Sequence, residues 1–106
     1  MTDIWVLYST FPNRAEALSI AQALVESRLA ACVNVIDSIT SVYRWQGNIQ
    51  QDSEVALVAK TQADRVDDAI AKIRSLHSYD IPAITAWPLA KGHGEFLQWV
   101  SNETAR

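Results

Sequence analysis

Residues 31–60 constrain the fold of this chain more than any other stretch, because they form two long β-type segments around a short turn. Segment 31–46 is rich in β-branched and aromatic residues and contains no proline, so it predicts one long strand. Gly47 supplies the positive φ that a tight turn at 46–48 requires. Residues 49–60 then predict the returning strand of a hairpin.

The predicted hairpin is too long for a chain of this size. At about 3.3 Å per residue, a strand of about 15 residues runs about 50 Å, whereas a globule of about 100 residues has a radius of gyration of about 13 Å. Unless the hairpin bends sharply, its turn must leave the globule. The apolar side chains beside the turn are poor candidates for permanent exposure, so we expect another copy of the chain to cover Val42, Tyr43, Trp45 and Ile49.

The segment before the hairpin predicts a strand and a helix. Residues 4–10 are almost continuously apolar, which is typical of a central strand. Asn13 and Glu16 stand in the spacing of a capping box, so we expect a helix over 14–28. Its apolar positions recur at helical spacing and predict a buried stripe of Ala17, Ile20, Ala21, Leu24 and Val25.

The segment after the hairpin predicts a helix, a strand and a second helix. Residues 61–64 repeat the cap signature, and apolar positions follow at Val66, Ala69, Ile70, Ile73 and Leu76 or His77. Residues 83–87 predict a last strand, which Pro88 closes because it cannot donate to a ladder. Residues 95–102 predict a short terminal helix with Phe96, Trp99 and Val100 facing inward.

The resulting order is β-α-β-β-α-β with a short C-terminal helix. This order predicts one α+β domain over 1–106 with a ferredoxin-like antiparallel sheet, a long central hairpin and two main helices on one face. Because that fold carries many unrelated activities, it does not name a function.

Composition excludes several classes of partner. The net charge is −3 and the nine basic residues are scattered, which argues against a nucleic-acid or anionic-membrane surface. No apolar run reaches the length of about 20 residues that spans a bilayer. The N-terminus lacks the pattern of a secretory signal, and the lone Cys32 has no partner for an internal disulfide. We therefore expect a cytoplasmic protein.

Several segments together resemble one family. They are 30–34 (A-A-C-V-N), 41–47 (S-V-Y-R-W-Q-G), Glu54, Lys60-Thr61, 77–82 (H-S-Y-D-I-P) and 96–99 (F-L-Q-W). In order and spacing they resemble the CutA family of divalent-ion tolerance proteins, and the likeness covers nearly the whole chain. The resemblance implies a non-enzymatic homotrimer with an architecture similar to that of PII signalling proteins, in which the long hairpins pair between chains.

The resemblance also implies a link to Cu²⁺ or other divalent cations. Family members described as copper binders use a cysteine at the end of the first strand, the histidine of H-P-Y and a glutamate just after the proline. The matching positions here are Ser9, His77 and Ala83, so only His77 is retained as a metal ligand. We therefore expect weak binding at His77 or His93 rather than a three-ligand site. Cys32 is expected to be a buried structural thiol.

The resemblance further implies a polar pocket between subunits, formed by the family's recurrent positions Tyr43, Trp45, Glu54, Lys60, His77 and Tyr79. Such a group of side chains could hold a small ligand or move protons. In the alternative interpretation, Glu54 and Lys60 are charges at strand ends, Tyr43 and Trp45 are packing residues of the trimer, and His77 caps the second helix.

Two other functions share this fold. Acylphosphatases need a glycine-rich phosphate loop with an arginine after the first strand, and residues 9–14 (S-T-F-P-N-R) contain the arginine but no glycine. The remaining alternative is a PII-like regulator that binds a nucleotide or another small metabolite between subunits.

Overall fold

Four strands and three α-helices form the computed structural model, which describes residues 3–106. The elements are β1 (Ile4–Phe11), α1 (Arg14–Glu26), β2 (Cys32–Trp45), β3 (Asn48–Gln62), a 3-10 turn (Ala63–Arg65), α2 (Val66–Leu76), β4 (Ile84–Pro88) and α3 (Gly94–Glu103). The strands pair antiparallel in the order β2-β3-β1-β4. This topology confirms the predicted ferredoxin-like α+β fold with a long central hairpin and a C-terminal helix.

The core lies between α1, α2 and one face of the sheet. Leu7, Ala59 and Val33 are cross-strand neighbours on this face and pack against Leu24 and Ile73 of the helices. On the opposite face, α3 covers only one end of the sheet, in a smaller cluster that includes Ile4, Ala31 and Val100. The remainder of that face, which we call the open face, is not covered by any helix of the described chain.

The distal part of the hairpin extends beyond the rest of the sheet. β1 pairs with β3 only from Gln62 to Val55, and past that point β2 and β3 pair only with each other. We call this two-stranded part, residues 39–54, the ribbon. The molecule accordingly measures 45 × 25 × 22 Å. Val42 and Ile49 are 66% and 71% exposed. The hairpin therefore extends beyond the rest of the domain, as its length predicted.

The turn of the hairpin contains two residues. Trp45 pairs with Asn48, and between them Gln46 and Gly47 have φ of 49° and 82°. Positive φ at both central positions is the geometry of a type I′ turn, which matches the twist of the two strands. The glycine was predicted correctly, and Gln46 adopts the less favourable conformation beside it.

A β-bulge in β2 was not predicted. The register shifts between Ile36 and Ile39, and Ser38 has a φ of 59°. At the bulge Asp37 forms an ion pair with Arg14 at 2.9 Å, but both side chains are about half exposed, so the pair stabilises the fold little. The bulge lies where the ribbon leaves the sheet and increases the local bend and twist there.

Four local expectations were wrong or only partly right. The helix α1 ends at Glu26 rather than at residue 28, because Arg28 has a positive φ. The predicted cap at Thr61 does not form: Thr61 is still paired with Trp5 in the sheet, and α2 begins at Val66. Cys32 is only half-buried. Three helical residues that were predicted to face inward are instead about 40% exposed, namely Val25, Phe96 and Trp99.

We expect two leucines of α1 to differ sharply in their contribution to stability. Leu24 is fully buried in the core, whereas Leu18 of the same helix is exposed. Leu24→Ala should lower the free energy of unfolding by about 2–5 kcal/mol, because it removes buried methyl groups and leaves a cavity. Leu18→Ala should cost less than about 1 kcal/mol. Urea unfolding at one protein concentration measures both, and equal losses would contradict this placement of the core.

Candidate functional site

A cavity of about 690 Å³ lies on the open face, at the junction of the sheet and the ribbon. It is lined by residues of β1, β2 and β3 and of the segment between α2 and β4: Tyr8, Thr10, Ser41, Tyr43, Trp45, Glu54, Ser78, Tyr79, Asp80, Ile81 and Ala83. Ser41, Tyr43 and Trp45 alternate along β2 and so share one face of the ribbon. Asp52 and Glu54 of β3 lie on the same face, paired with Ser41 and Ile39. The bulge sets this alternation, because an extra residue changes which side chains face the cavity.

Glu54 is a buried acidic side chain of this cavity, at 8% exposure. Its Oε2 accepts a hydrogen bond from the phenol of Tyr79 at 2.8 Å. None of the ion pairs formed within residues 3–106 includes Glu54. A carboxylate buried without a cation is unfavourable, and one neutral hydrogen bond offsets only part of that cost.

His77 supports the cavity from beneath. Its side chain is fully buried, and its ring stacks on Phe11 with centroids 4.5 Å apart. Nε2 lies 2.7 Å from the carbonyl oxygen of Thr10, and the backbone N–H of Tyr79 donates to Nδ1 at 3.1 Å. Because a carbonyl can only accept, this geometry assigns the ring proton to Nε2. His77 thereby positions Tyr79, whose ring lies 4.8 Å away.

Glu16 completes this support and explains why only half of the predicted capping box forms. Asn13 accepts a hydrogen bond from the backbone N–H of Glu16 at 2.9 Å, as predicted. The Glu16 side chain does not return to the cap. Its Oε2 instead accepts from the backbone N–H of Ser78 at 3.0 Å and lies 3.5 Å from Nδ1 of His77. The first turn of α1 is therefore tied to the segment that carries Tyr79.

Two tyrosines of the cavity are held in their neutral form. Burial raises the pKa of Tyr79 above its ordinary value, and the hydrogen bond to Glu54 raises it further. The hydrogen bond to Asp52 raises the pKa of Tyr43, with smaller effects of burial and of the neighbouring carboxylates. Both phenols therefore keep their protons at neutral pH and donate hydrogen bonds to carboxylates.

The structure brings together four of the six residues predicted for a pocket. Tyr43, Trp45, Glu54 and Tyr79 line the cavity, and His77 lies behind it. Sequence reasoning missed Asp52 and Asp80, because each lies among other polar residues, Asp52 in β3 and Asp80 in the segment between α2 and β4. Tyr8 was assigned only to the apolar pattern of β1, and no motif marked it.

Lys60 lies apart from the other five. It is six residues from Glu54 along β3, or about 20 Å at the rise of a strand. Its Nζ donates to Asn34 Oδ1 at 2.6 Å, and it does not line the cavity of the single chain. Cys32 is its partner across the strands. Burial raises the pKa of the Cys32 thiol, and the positive charge of Lys60 opposes that effect.

The three positions matched to copper ligands lie close together beside the cavity. Ser9 Oγ donates to the carbonyl oxygen of Ala83 at 2.7 Å, and His77 bonds to Thr10, the residue after Ser9. Neither Ser9 nor Ala83 offers a soft or imidazole ligand, and both ring nitrogens of His77 are hydrogen-bonded. Within residues 3–106 no group of three or more His, Cys, Asp or Glu side chains could hold a metal ion.

Comparison with known proteins identifies the family. Residues 5–103 match the sequence profile of the family described as CutA1 divalent ion tolerance protein. The chain belongs to this CutA1 family. Its members are non-enzymatic divalent ion tolerance proteins, as expected from the segments quoted above.

Relatives in the CutA1 family share both sequence and structure with the chain. The divalent-cation tolerance protein CutA of Thermus thermophilus is 42% identical over 99 residues, which are 93% of this chain and 96% of that protein. Human protein CutA is 45% identical over 92% of this chain, which spans only 54% of the human protein. The crystal structure of CutA1 from Ehrlichia chaffeensis superposes with a TM-score of 0.94 at 40% identity, covering 100% of this chain and 99% of that one.

The described part of the chain contains no helix that is both long enough and apolar enough to cross a membrane.

We expect Tyr79 to affect stability in alkaline solution. The unfolded phenol titrates at its ordinary pKa of 10.0, whereas the folded pKa is raised. The contribution of the neutral Tyr79 phenol to the free energy of unfolding is therefore fully present below about pH 10. It decreases as the pH rises from there toward the folded pKa. Tyr79→Phe should make the loss of stability between about pH 9 and about pH 11 shallower.

The matched control is Tyr8→Phe, which removes another phenol of the same cavity that makes no side-chain hydrogen bond to a carboxylate among residues 3–106. Chemical unfolding across this pH range gives both slopes. Identical slopes for the two variants would contradict the proposed environment of Tyr79.

Proposed function

We propose that the chain serves divalent-cation tolerance as a homotrimer that binds Cu²⁺ or another divalent cation weakly and catalyses no reaction. Membership in the CutA1 family is the observation that carries this proposal. Weak binding agrees with the absence of a cluster of three metal ligands within residues 3–106. His77 remains the candidate metal ligand, although a metal would have to displace one of the two hydrogen bonds of its ring.

The ribbon supports the homotrimer. An isolated two-stranded hairpin is only marginally stable in water. The ribbon carries apolar side chains on both faces, with Val42 and Ile49 on one and Tyr43 and Trp45 on the other. We propose that neighbouring copies pack against these side chains, and that the open face outside the cavity is buried in the same assembly, which leaves the cavity as a cleft between subunits.

The cavity supports a second role, as a PII-like regulator that holds a small metabolite in a cleft between subunits. A volume of about 690 Å³ is in the range of small-molecule sites. The ribbon forms part of the cavity wall, so a copy packed on the ribbon would border the bound molecule.

We propose the cytoplasm as the compartment, because the single Cys32 offers no internal disulfide of the kind common in oxidising compartments. Relatives carry names that refer to different compartments, namely periplasmic for the protein from Archaeoglobus fulgidus and chloroplastic for the one from Arabidopsis thaliana.

Removing the apolar tip of the ribbon should weaken the trimer. Val42→Ser combined with Ile49→Ser removes two apolar contacts per chain, and each buried aliphatic side chain contributes about 1.5–3 kcal/mol. Sedimentation over a range of concentrations should show a dissociation constant raised at least about tenfold. Leu18→Ser, which changes an exposed leucine of α1, is the control and should leave the assembly intact. An unchanged dissociation constant for the tip variant would contradict the proposal that copies cover the ribbon.

Tolerance itself can be measured in a bacterial host that lacks a CutA1-family gene of its own. Expression of the chain should restore growth at a Cu²⁺ concentration that inhibits the host, and the Leu18→Ser variant should do the same. The tip variant should fail at equal expression, because the proposed function requires the trimer. The proposed role is wrong if the unchanged chain gives no growth advantage in Cu²⁺, Zn²⁺ or any other divalent cation tested.

A further inference from the structure

The charge of the cavity indicates the class of ligand that it suits. Glu54, Asp52 and Asp80 place carboxylates in or beside it, and within the described chain no lysine, arginine or histidine lines it. Glu54 is buried and has an acceptor oxygen beyond the one bonded to Tyr79, and it forms no ion pair with any residue of 3–106. A positively charged group in the cavity would balance its charge, whereas an anion would be repelled.

The walls of the cavity are aromatic. Tyr8, Tyr43, Trp45 and Tyr79 each contribute to the lining, from three different segments of the chain. The face of an aromatic ring attracts a cation, and several rings around one charge are the usual means of recognising an ammonium group. Because hydrogen bonds fix the phenols of Tyr43 and Tyr79 to Asp52 and Glu54, these two rings are held in place before any ligand arrives.

The donors of the cavity do not suit a bare metal ion. Ca²⁺ and Mg²⁺ need about six oxygen ligands, and copper prefers imidazole or thiolate. The cavity offers one buried carboxylate, already bonded to Tyr79. His77 lies behind the lining with both ring nitrogens bonded, and Cys32 lies elsewhere on the sheet. The volume of about 690 Å³ is also much larger than a single ion occupies.

We propose that this cavity binds a small organic cation, an amine or quaternary ammonium compound of metabolite size. Its charged group lies against Glu54 and between the rings of Tyr43, Trp45 and Tyr79. The inference rests on the proposed role of the cavity as a small-ligand site, and it adds the chemical class of the ligand. It does not depend on where divalent metal ions bind.

Choline and its neutral isostere 3,3-dimethyl-1-butanol test this proposal, because they differ in charge but hardly in shape. Each is titrated into the purified full-length chain at constant ionic strength, while chemical shifts of backbone amides and of the Trp45 indole are followed by NMR. Choline should shift signals of the cavity residues and bind at least about tenfold more tightly than the isostere. Equal affinity for the two compounds would overturn the proposal.

Two variants identify the groups responsible. Glu54→Gln keeps the shape and the acceptor for Tyr79 but removes the charge, and it should weaken choline binding at least about tenfold. Glu95→Gln, at an exposed position in the first turn of α3, is the matched control and should leave the affinity unchanged. If Glu54→Gln does not fold, Trp45→Leu takes its place and should also weaken binding. Full affinity in the folded variant would overturn the proposal.

ATP and citrate, titrated in the same way, distinguish the proposal that the cavity is a small-ligand site from the proposal that its ligand is an organic cation. Binding of either anion at the cavity residues without binding of choline would overturn the organic cation while supporting a small-ligand site. If no cation, anion or neutral compound shifts these signals, both the cation and the small-ligand role are wrong.

Discussion

The end of β1 at Phe11 is the constraint on which the rest of the structure depends. Up to Val55 the hairpin is part of a sheet and packs on two helices, but beyond that point its strands have only each other. Two strands alone bury too little surface to be stable in water. A chain with such a hairpin must either leave it frayed or cover it with other copies, and its apolar side chains on both faces favour the second.

The same boundary places the candidate site. Glu54 is the first residue of β3 past the pairing with β1, and the bulge in β2 lies opposite. The segment after α2 runs beside this junction, fixed by the stacking of His77 on Phe11 and by the hydrogen bond from Ser78 to Glu16. The cavity therefore arises where a three-stranded region becomes two-stranded. The proposed contacts between copies and the proposed ligand site share this location, so a ligand bound in the cavity would alter those contacts.

Local sequence patterns predicted those parts of the structure that depend on interactions between residues close together in the sequence. The cap at Asn13, the turn at Gly47 and the apolar face of α1 depend on neighbouring residues, and all three form. The bulge at Ser38, the continued strand pairing of Thr61 and the exposure of Trp99 depend on which elements meet in space, and no spacing in the sequence indicates them. In the site, the family resemblance named both Glu54 and Tyr79, and the two side chains form a hydrogen bond at 2.8 Å. The predicted strand over 49–60 already places Lys60 six residues from Glu54, whereas no pattern in the sequence indicated that Tyr8 faces the cavity.

Small-angle X-ray scattering of the unmodified chain at micromolar concentration tests the central claim most directly, since it gives mass and dimensions together. The proposed homotrimer predicts a particle of three chains of 11.8 kDa, or about 35 kDa, with a radius of gyration well above the 14.3 Å of one chain. A folded particle of 11.8 kDa with a radius of gyration near 14.3 Å would show that the ribbon persists uncovered, and would contradict the account.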